Sequence, residues 1–409
     1  MNPWIKGDMD SEMGSHMRQR LNSLVVFVVS VTLVFTFGNV LANSPVAKAA
    51  RARPLYDIAL VGSWSPSQKQ NSRNIELGAK LAINQANSSG RLPFRLALVA
   101  YNTMDDPTHS VAVAREIITN RRVIAVLGPT TTVDVQAVEP ILSRAHLAMV
   151  TPSAATPSLA NSDWTNFFRV IPDNDVQGSA DAHFLVKTVG ARRLFVVQDG
   201  SAYGSSLGGV VALRANAAGV PTTTQLAPAT TQCQVGTSDA SQYLDVALKV
   251  LASQATALFY GGYYCDFGML LNALADVGYH GVVMSGDGSD SSALMNIVAS
   301  PSTLGGVYLS SLSEPSTNAV FARSFAALAH YSASMAMYAP ESYDAANAII
   351  HALGSVTTVT RPALLKALHH VSFNGVSGRI QFEANGNLKS TRAFLNQIQG
   401  STITPVGLI

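Results

Sequence analysis

Two groups of polar residues in this chain could bind opposite charges. Hydroxyl-bearing loops occur at 128–132, with the sequence GPTTT, and at 151–155, with the sequence TPSAA, each after a short apolar run. Hydroxyls and unpaired backbone N–H groups at the start of a helix favour a bound carboxylate. Asp287 lies in the turn 285–288, with the sequence SGDG, where it could meet an ammonium group. Together, these groups describe a site for the zwitterion of an amino acid.

Some of these residues also have a purely structural explanation. Thr132 could cap its own helix, and an aspartate in a glycine-rich turn is common for local reasons. The pair Asp105 and Asp106 precedes Pro107, which is typical of a helix cap followed by proline at the first helical position. We therefore interpret this pair as a cap and not as paired catalytic carboxylates.

The stretch Gly261-Gly262-Tyr263-Tyr264 follows the apolar run 257–260 and indicates a wall beside a small ligand. Glycine lets the backbone approach a bound molecule closely, and tyrosine offers an apolar face with a polar tip. Because side chains alternate in an extended chain, we expect Tyr263 to face the ligand and Tyr264 to point away.

One motif could support an enzyme instead. The segment 204–208, with the sequence GSSLG, fits the G-x-S-x-G pattern of hydrolases, with Ser206 as nucleophile and Asp287 plus His330 or His369 downstream. However, five residues separate it from the preceding strand, whereas that motif needs its serine at the strand-to-helix turn. A hydrolase therefore remains a minor alternative.

The chain has no spacing typical of a metal or nucleotide site. His369 and His370 are consecutive on a predicted helix and face different directions, and neither a P-loop nor G-x-G-x-x-G follows a strand. With 13% charged residues and a formal net charge of +2, there is no basic surface for nucleic acid. We expect no cofactor, no metal and no nucleic-acid partner.

The elements that must position these loops alternate between short aliphatic runs and segments of helical period. This alternation predicts an α/β fold, and 409 residues with 47% hydrophobic content are enough for two domains. Parallel sheets bind ligands outside the carboxyl ends of their strands, so two doubly wound lobes would face each other across one cleft. The predicted strands are 57–62, 94–101, 123–127, 148–151, 194–198, 257–260 and 282–285.

The N-terminus predicts export. Arg18 and Arg20 precede the apolar run 24–37, and small residues suited to cleavage follow around Ala42 and Ala49. The run is shorter than the ~20 residues of a spanning helix, although retention as an anchor is an alternative. We assign 1–50 to a signal peptide and leader, and expect a periplasmic protein.

The two cysteines, Cys233 and Cys265, suggest a disulfide in an oxidising compartment. Cys265 directly follows the tyrosine pair, so a bridge would hold that wall in place. The alternative is two unrelated buried thiols.

The order of these features resembles the Leu/Ile/Val-binding type of periplasmic solute-binding proteins of ABC transporters, which have the type I periplasmic binding protein fold. The resemblance extends from Tyr56 to the C-terminus. It rests on the segments 57–62 (DIALVG), 105–107 (DDP), 128–129 (GP), 151–154 (TPSA), 203–204 (YG), 261–263 (GGY) and 286–288 (GDG).

The resemblance implies two doubly wound parallel-sheet lobes joined by three hinge crossings. The N-terminal lobe would comprise 55–172 and 312–378, and the C-terminal lobe 173–311 and 379–409. It also implies a monomer that closes on its ligand and then docks on a membrane permease. Two positions depart from the family: Ala155 replaces a threonine, and Asn71 and Ser72 replace a glycine and a tyrosine.

The resemblance implies that the protein binds a branched-chain or other apolar amino acid in the cleft. A ligand-sensing receptor subunit and a binder of urea or short amides are the alternatives. The candidate ligand-binding residues are Trp64, Thr131, Thr132, Ser153, Ala154, Ala155, Tyr203, Tyr263 and Asp287.

Overall fold

The computed structural model describes residues 53–160, 164–227, 241–299, 304–313, 316–389 and 392–409. Residues 54–409 form one compact unit, in which strands and helices alternate along two main sheets. The predicted α/β class is confirmed. The predicted leader, 1–50, lies outside the described residues. Within the described ranges, no helix is both long and apolar enough to cross a membrane.

The elements of this unit follow one another along nearly its whole length. The strands are β1 Leu55–Gly62, β2 Arg95–Asn102, β3 Val123–Leu127, β4 Ala148–Thr151, β5 Phe167–Arg169, β6 Leu194–Gln198, β7 Thr222–Leu226, β8 Ala257–Gly261, β9 Val282–Ser285, β10 Val307–Ser311, β11 Ser372–Asn374, β12 Arg379–Gln381, β13 Phe394–Gln399 and β14 Thr402–Leu408. The helices are α1 Lys69–Ser89, α2 Pro107–Thr119, α3 Thr132–Arg144, α4 Asn174–His183, α5 Ala202–Ala217, α6 Ser241–Ala252, α7 Tyr264–Asp276, α8 Ala319–Ala329, α9 Ala339–Ser355 and α10 Arg361–Leu368.

The first sheet is parallel, with the strand order β2-β1-β3-β4-β5. Alternate residues of β1 enter opposite cores, since Ile58 packs with α1 and α9 while Ala59 packs with α2 and α3. The strand order reverses between β1 and β3, which places the loops after these two strands side by side at the carboxyl edge. Because β4 pairs with β3 on its other side, the two hydroxyl-rich loops that follow β3 and β4 also lie at this edge.

The second sheet has the order β14-β13-β10-β9-β8-β6-β7. Its strands from β6 to β10 are parallel, whereas β13 and β14 form an antiparallel hairpin on the edge at β10. Helices α4 and α5 cover one face, and α6 and α7 cover the other. The two lobes are thus doubly wound as predicted, and the hairpin is an addition that the sequence pattern did not indicate.

The segments that join the lobes pack against each other. Ile171 follows β5, Leu312 follows β10 and Ala393 precedes β13, and all three lie in one small hydrophobic cluster with Ala155. This cluster, Ala155–Ile171–Leu312–Ala393, is called the hinge cluster below. Its packing brings the three connections between the lobes to one place.

One boundary of the lobes differs from the sequence-based division, which gave 379–409 to the C-terminal lobe. Strand β12 pairs with β11, and Ile380 and Phe382 lie in the same core as Ile58 of the first sheet. The backbone N–H of Arg169 also donates to the carbonyl of Gly386 at 3.0 Å. Residues 379–388 therefore belong with the first lobe, and the second lobe resumes at β13.

Candidate ligand-binding site

A small cavity of about 30 Å³ lies between the carboxyl edges of the two sheets. Six of the predicted site residues line it: Thr131, Thr132, Ser153, Tyr203, Tyr263 and Asp287. Six others were not on the predicted list: Gln68, Asn71, Ile75, Thr130, Gly288 and Tyr338. The three remaining predicted residues, Trp64, Ala154 and Ala155, are not among the described residues that line the cavity.

The hydroxyl side of the cavity is the start of α3. Thr131 is the N-cap residue, since its side-chain oxygen accepts from the N–H of Asp134 at 3.3 Å. The alternative that Thr132 caps this helix is therefore wrong. Instead, the Thr132 hydroxyl shares a 2.9 Å hydrogen bond with the hydroxyl of Thr156. The positive end of the helix dipole and the first-turn donors of α3 are thus directed at the cavity.

Thr130 carries the least satisfied polar atom at this edge. Its side chain is buried, with 8% exposure, and among the described residues its Oγ1 has no hydrogen-bond partner. A Cβ at Gly62 would lie 2.9 Å from this hydroxyl, so the glycine leaves the space that Thr130 occupies. A buried hydroxyl that faces a cavity without a partner is suited to a ligand. The run of three threonines was the available signal for it.

The second hydroxyl loop contributes through Ser153 alone. The Ser153 hydroxyl donates to the carbonyl of Thr130 at 2.8 Å, which ties the two loops together. Ala154 is buried in the core beneath α3, and Ala155 belongs to the hinge cluster. Their methyl groups therefore serve packing. Ala155 stands where family members carry a threonine, and in this chain it packs against the segments that connect the lobes.

The first loop also differs from the prediction. Trp64 packs against the first-lobe core, and its backbone N–H donates to Oδ1 of Asn102 at 3.1 Å. The start of α1 reaches the cavity in its place, through the N-cap residue Gln68, Asn71 in the first turn and Ile75 in the second turn. Two amides and one aliphatic side chain therefore form this wall. Their helical spacing was visible in the sequence, but the direction of the helix was not.

Asp287 is the charged centre of the opposite wall. It is 1% exposed, and its two oxygens accept from the hydroxyls of Tyr203 and Tyr338, each at 2.5 Å. Burial raises the pKa of this carboxyl above its usual range, although the tyrosine hydrogen bonds oppose the increase. A cation placed beside Asp287 would favour its ionised form.

The two tyrosines reach Asp287 from different lobes. Tyr203 lies on α5, in a core of the second lobe, whereas Tyr338 precedes α9 and packs in the core of the first lobe. The Tyr338–Asp287 hydrogen bond thus joins the lobes across the cavity. A second such bond runs from the Tyr264 hydroxyl to the carbonyl of Pro66 at 3.1 Å.

The tyrosine pair after β8 is only partly as predicted. Tyr263 is the N-cap residue of α7 and lines the cavity, with its ring centre 5.4 Å from that of Tyr203. Tyr264 is not among the described residues that line the cavity, as expected, although the extended chain on which this prediction rested ends at Tyr263. Tyr264 begins the helix and is directed toward the first lobe.

The glycines of this region pack backbone against backbone. A Cβ at Gly261 would lie 2.3 Å from the carbonyl oxygen of Gly204, so these two glycines allow α5 to approach β8 closely. A Cβ at Gly288 would lie 2.6 Å from the ring of Tyr203. The absence of a side chain at these glycines therefore lets Tyr203 pack close to Asp287. Gly261 was predicted to let the backbone approach a ligand, but in the structure it lets helix α5 approach strand β8.

The remaining sequence-based candidates lie apart from this chemistry. Ser206 is inside α5, which begins at Ala202, and so it is not at a strand-to-helix turn. Nε2 of His369 contacts the carbonyl of Thr165 in the first lobe at 3.1 Å. In the described part of the chain, no group of three or more His, Cys, Asp or Glu residues could hold a metal. Cys265 is buried in a second-lobe core, but Cys233 lies outside the described residues, so their bridge stays a prediction.

Comparison with known proteins places this arrangement in a family. The model of the family described as periplasmic binding protein matches residues 56–402. A Leu/Ile/Val-binding protein of Rhizobium johnstonii is 26% identical over 258 residues, covering 63% of this chain and 66% of that protein, just under two thirds. A leucine-, isoleucine-, valine-, threonine- and alanine-binding protein of Pseudomonas aeruginosa is 23% identical over 347 residues, covering 84% of this chain and 90% of that protein.

Solved structures agree on the fold. A leucine-binding protein of Thermotoga maritima matches with a TM-score of 0.77 at 22% identity, covering 87% of this chain and 98% of that one. A solute-binding protein of R. palustris in complex with benzoate matches with a TM-score of 0.71 at 14% identity, covering 87% and 96%. The predicted type I fold and the resemblance to Leu/Ile/Val-binding proteins are confirmed. This chain belongs to the periplasmic binding protein family.

Proposed function

We propose that this protein is a periplasmic solute receptor that binds a small amino acid between its lobes and delivers it to the permease of an ABC transporter. The observation that carries the proposal is the pairing of two unlike walls across one cavity. Thr130 and the start of α3 form one wall, and the buried carboxylate of Asp287 forms the other. The first wall suits a carboxylate and the second an ammonium group.

The order of binding follows from the contacts between the walls of the cavity. The Tyr338–Asp287 and Tyr264–Pro66 hydrogen bonds join the two lobes across it. The lobes must therefore separate for a ligand to enter, which breaks both hydrogen bonds. A ligand that contacts both walls then favours closure, because its contacts to the second wall form only in the closed state.

The side-chain preference is set by the N-cap and the first two turns of α1. Ile75 favours an aliphatic side chain such as that of leucine, isoleucine or valine. Gln68 and Asn71 present amide groups to the same cavity. These amides favour a second candidate ligand, which is a short amide or urea. Buried amides hydrogen-bond to a polar ligand, whereas an apolar side chain leaves them unpaired.

A thermal-unfolding panel tests the proposal. It should contain leucine, isoleucine, valine, phenylalanine, aspartate, glutamate, acetamide and urea. A ligand at 100 times its dissociation constant adds about 2.7 kcal/mol to the free energy of unfolding. Unchanged melting temperatures with every amino acid would reject the proposed class, and a shift with acetamide or urea alone would select the second candidate.

Three further parts of the proposal need separate measurements. An ester-hydrolysis rate that disappears in Ser206→Ala would establish the hydrolase alternative. Fractionation of the producing cells and the mass of the secreted chain would test the periplasmic location and removal of the leader. Light scattering would test the monomer, and a transport defect in a strain lacking the protein would separate a transport receptor from a sensor subunit.

A further inference from the structure

A second and larger cavity lies behind the site already described. It measures about 520 Å³, within the range of roughly 300–1,000 Å³ typical of small-molecule sites. Both lobes line it, since Met337 belongs to the first lobe and Asp290 to the second, with Ile403 of the β13–β14 hairpin forming another wall. This hairpin is the part of the fold that the sequence pattern did not indicate.

The two cavities share a wall made of two short segments. In the first segment, Tyr338 lines the small cavity while Met337 lines the large one. Tyr338 has a positive φ of 63°, which turns the backbone at this point. In the second segment, Asp287 lines the small cavity and Asp290 the large one. The Tyr338–Asp287 hydrogen bond closes the wall between them.

Asp290 is the one charged group among the described residues that line the large cavity. Its Oδ2 accepts from Nδ2 of Asn396 at 2.8 Å, which fixes the carboxylate on the cavity wall. Burial raises its pKa to about 7, and the nearby Asp287 carboxylate adds to the increase. The other lining groups are hydroxyls, an amide and apolar side chains, so a bound cation would be matched and a bound carboxylate would not.

We propose that this cavity is a second ligand site, which binds a small organic amine that carries no carboxylate, with its ammonium group on Asp290. Met295, Met337 and Ile403 would cover the apolar body of the amine. Because both lobes contact such a ligand, it also favours the closed form, and this last consequence rests on the proposed hinge closure.

Isoamylamine is the matched probe, because it is leucine without the carboxylate. Titration calorimetry with the full chain at pH 8 should show saturable binding of isoamylamine. Isoamyl alcohol, which lacks the charge, should bind with an affinity at least about tenfold lower. Asp290→Asn should lose the amine, whereas Asp276→Asn, which changes an exposed carboxylate on α7, should keep it. Ile403→Trp fills the cavity from the hairpin and should also abolish amine binding. This second variant tests the site independently if Asp290→Asn fails to fold.

Retention of the full amine affinity in Asp290→Asn would place the amine outside this cavity and overturn the proposal. Absence of saturable binding to the native chain would do the same. Neither outcome depends on amino acid binding. If the protein binds the amine but no amino acid, the proposed function is wrong and this inference is still supported.

Discussion

Removal of the Tyr338 hydroxyl tests whether one hydrogen bond holds the lobes closed. Tyr338 packs in the first-lobe core and donates to Asp287 of the second lobe at 2.5 Å. In Tyr338→Phe the ring remains, but one oxygen of a buried carboxylate loses its donor. A hydrogen bond to a charged group contributes about 1.5–3 kcal/mol. The closed form should lose that amount, and the affinity for ligand should fall roughly 10- to 150-fold.

Tyr203→Phe is the matched control for this change. Tyr203 donates to the other oxygen of Asp287 at the same distance of 2.5 Å, and it also lines the cavity. However, Tyr203 and Asp287 belong to the same lobe, so their bond exists whether the lobes are open or closed. This variant should lower the free energy of unfolding while leaving the closure equilibrium unchanged.

Two assays separate these outcomes. Small-angle X-ray scattering measures the radius of gyration, which should increase in unliganded Tyr338→Phe and stay constant in Tyr203→Phe. Calorimetric titration with the best ligand of the panel gives the change in affinity. Equal affinity losses in both variants, with identical scattering curves, would mean that Tyr338 acts only as a ligand contact and that closure does not depend on it.

Three other perturbations give independent tests. Thr130→Val removes the unpartnered hydroxyl at nearly constant volume, so calorimetry should show an affinity loss of about 1 kcal/mol with no loss of melting temperature, and an unchanged affinity would exclude this hydroxyl from the site. Burial raises the pKa of Glu139 from 4.5 to about 8, so its contribution to stability is complete below pH 4.5 and falls by about 1.4 kcal/mol per pH unit as the pH rises toward 8. Denaturant unfolding of Glu139→Gln across this window should lack that decrease, and an equally steep decrease in the variant would contradict the assignment. Gly261→Ala, at the end of β8, should lower the free energy of unfolding by about 1–3 kcal/mol because its Cβ would meet the Gly204 carbonyl of α5. Gly209→Ala, on α5 with open space around it, should instead raise the free energy of unfolding by about 0.5–1 kcal/mol. Equal melting temperatures for the two variants would refute the packing argument.

The sequence was most informative where a local pattern decides the structure. The seven strands predicted from the aliphatic runs are placed to within two residues at either end, because most of them are buried on both faces and are apolar throughout. The capping of α2 by Asp106 was also predictable, since its side chain accepts from the N–H of Thr108 at 2.7 Å. Such features depend on residues that are neighbours along the chain.

The site was less predictable because tertiary packing assembles it. Tyr338 lies far from every motif in the sequence, and it reaches Asp287 only because α9 packs against α1. Ala155 matches a ligand-binding position of the family, yet the crossings of the lobes enclose its methyl group. The hydrogen bond from the Tyr264 hydroxyl to Pro66 of the first lobe was not predicted, because strand alternation ends where the helix begins, one residue earlier than assumed.

A structure of the complex with the amino acid that most raises the melting temperature tests the central claim most directly. We predict closed lobes, with the ligand carboxylate on the Thr130 hydroxyl and the first turn of α3, and the ammonium group within hydrogen-bond distance of Asp287. An amino acid bound in the reverse orientation, or found only in the cavity beside Asp290, would contradict the account.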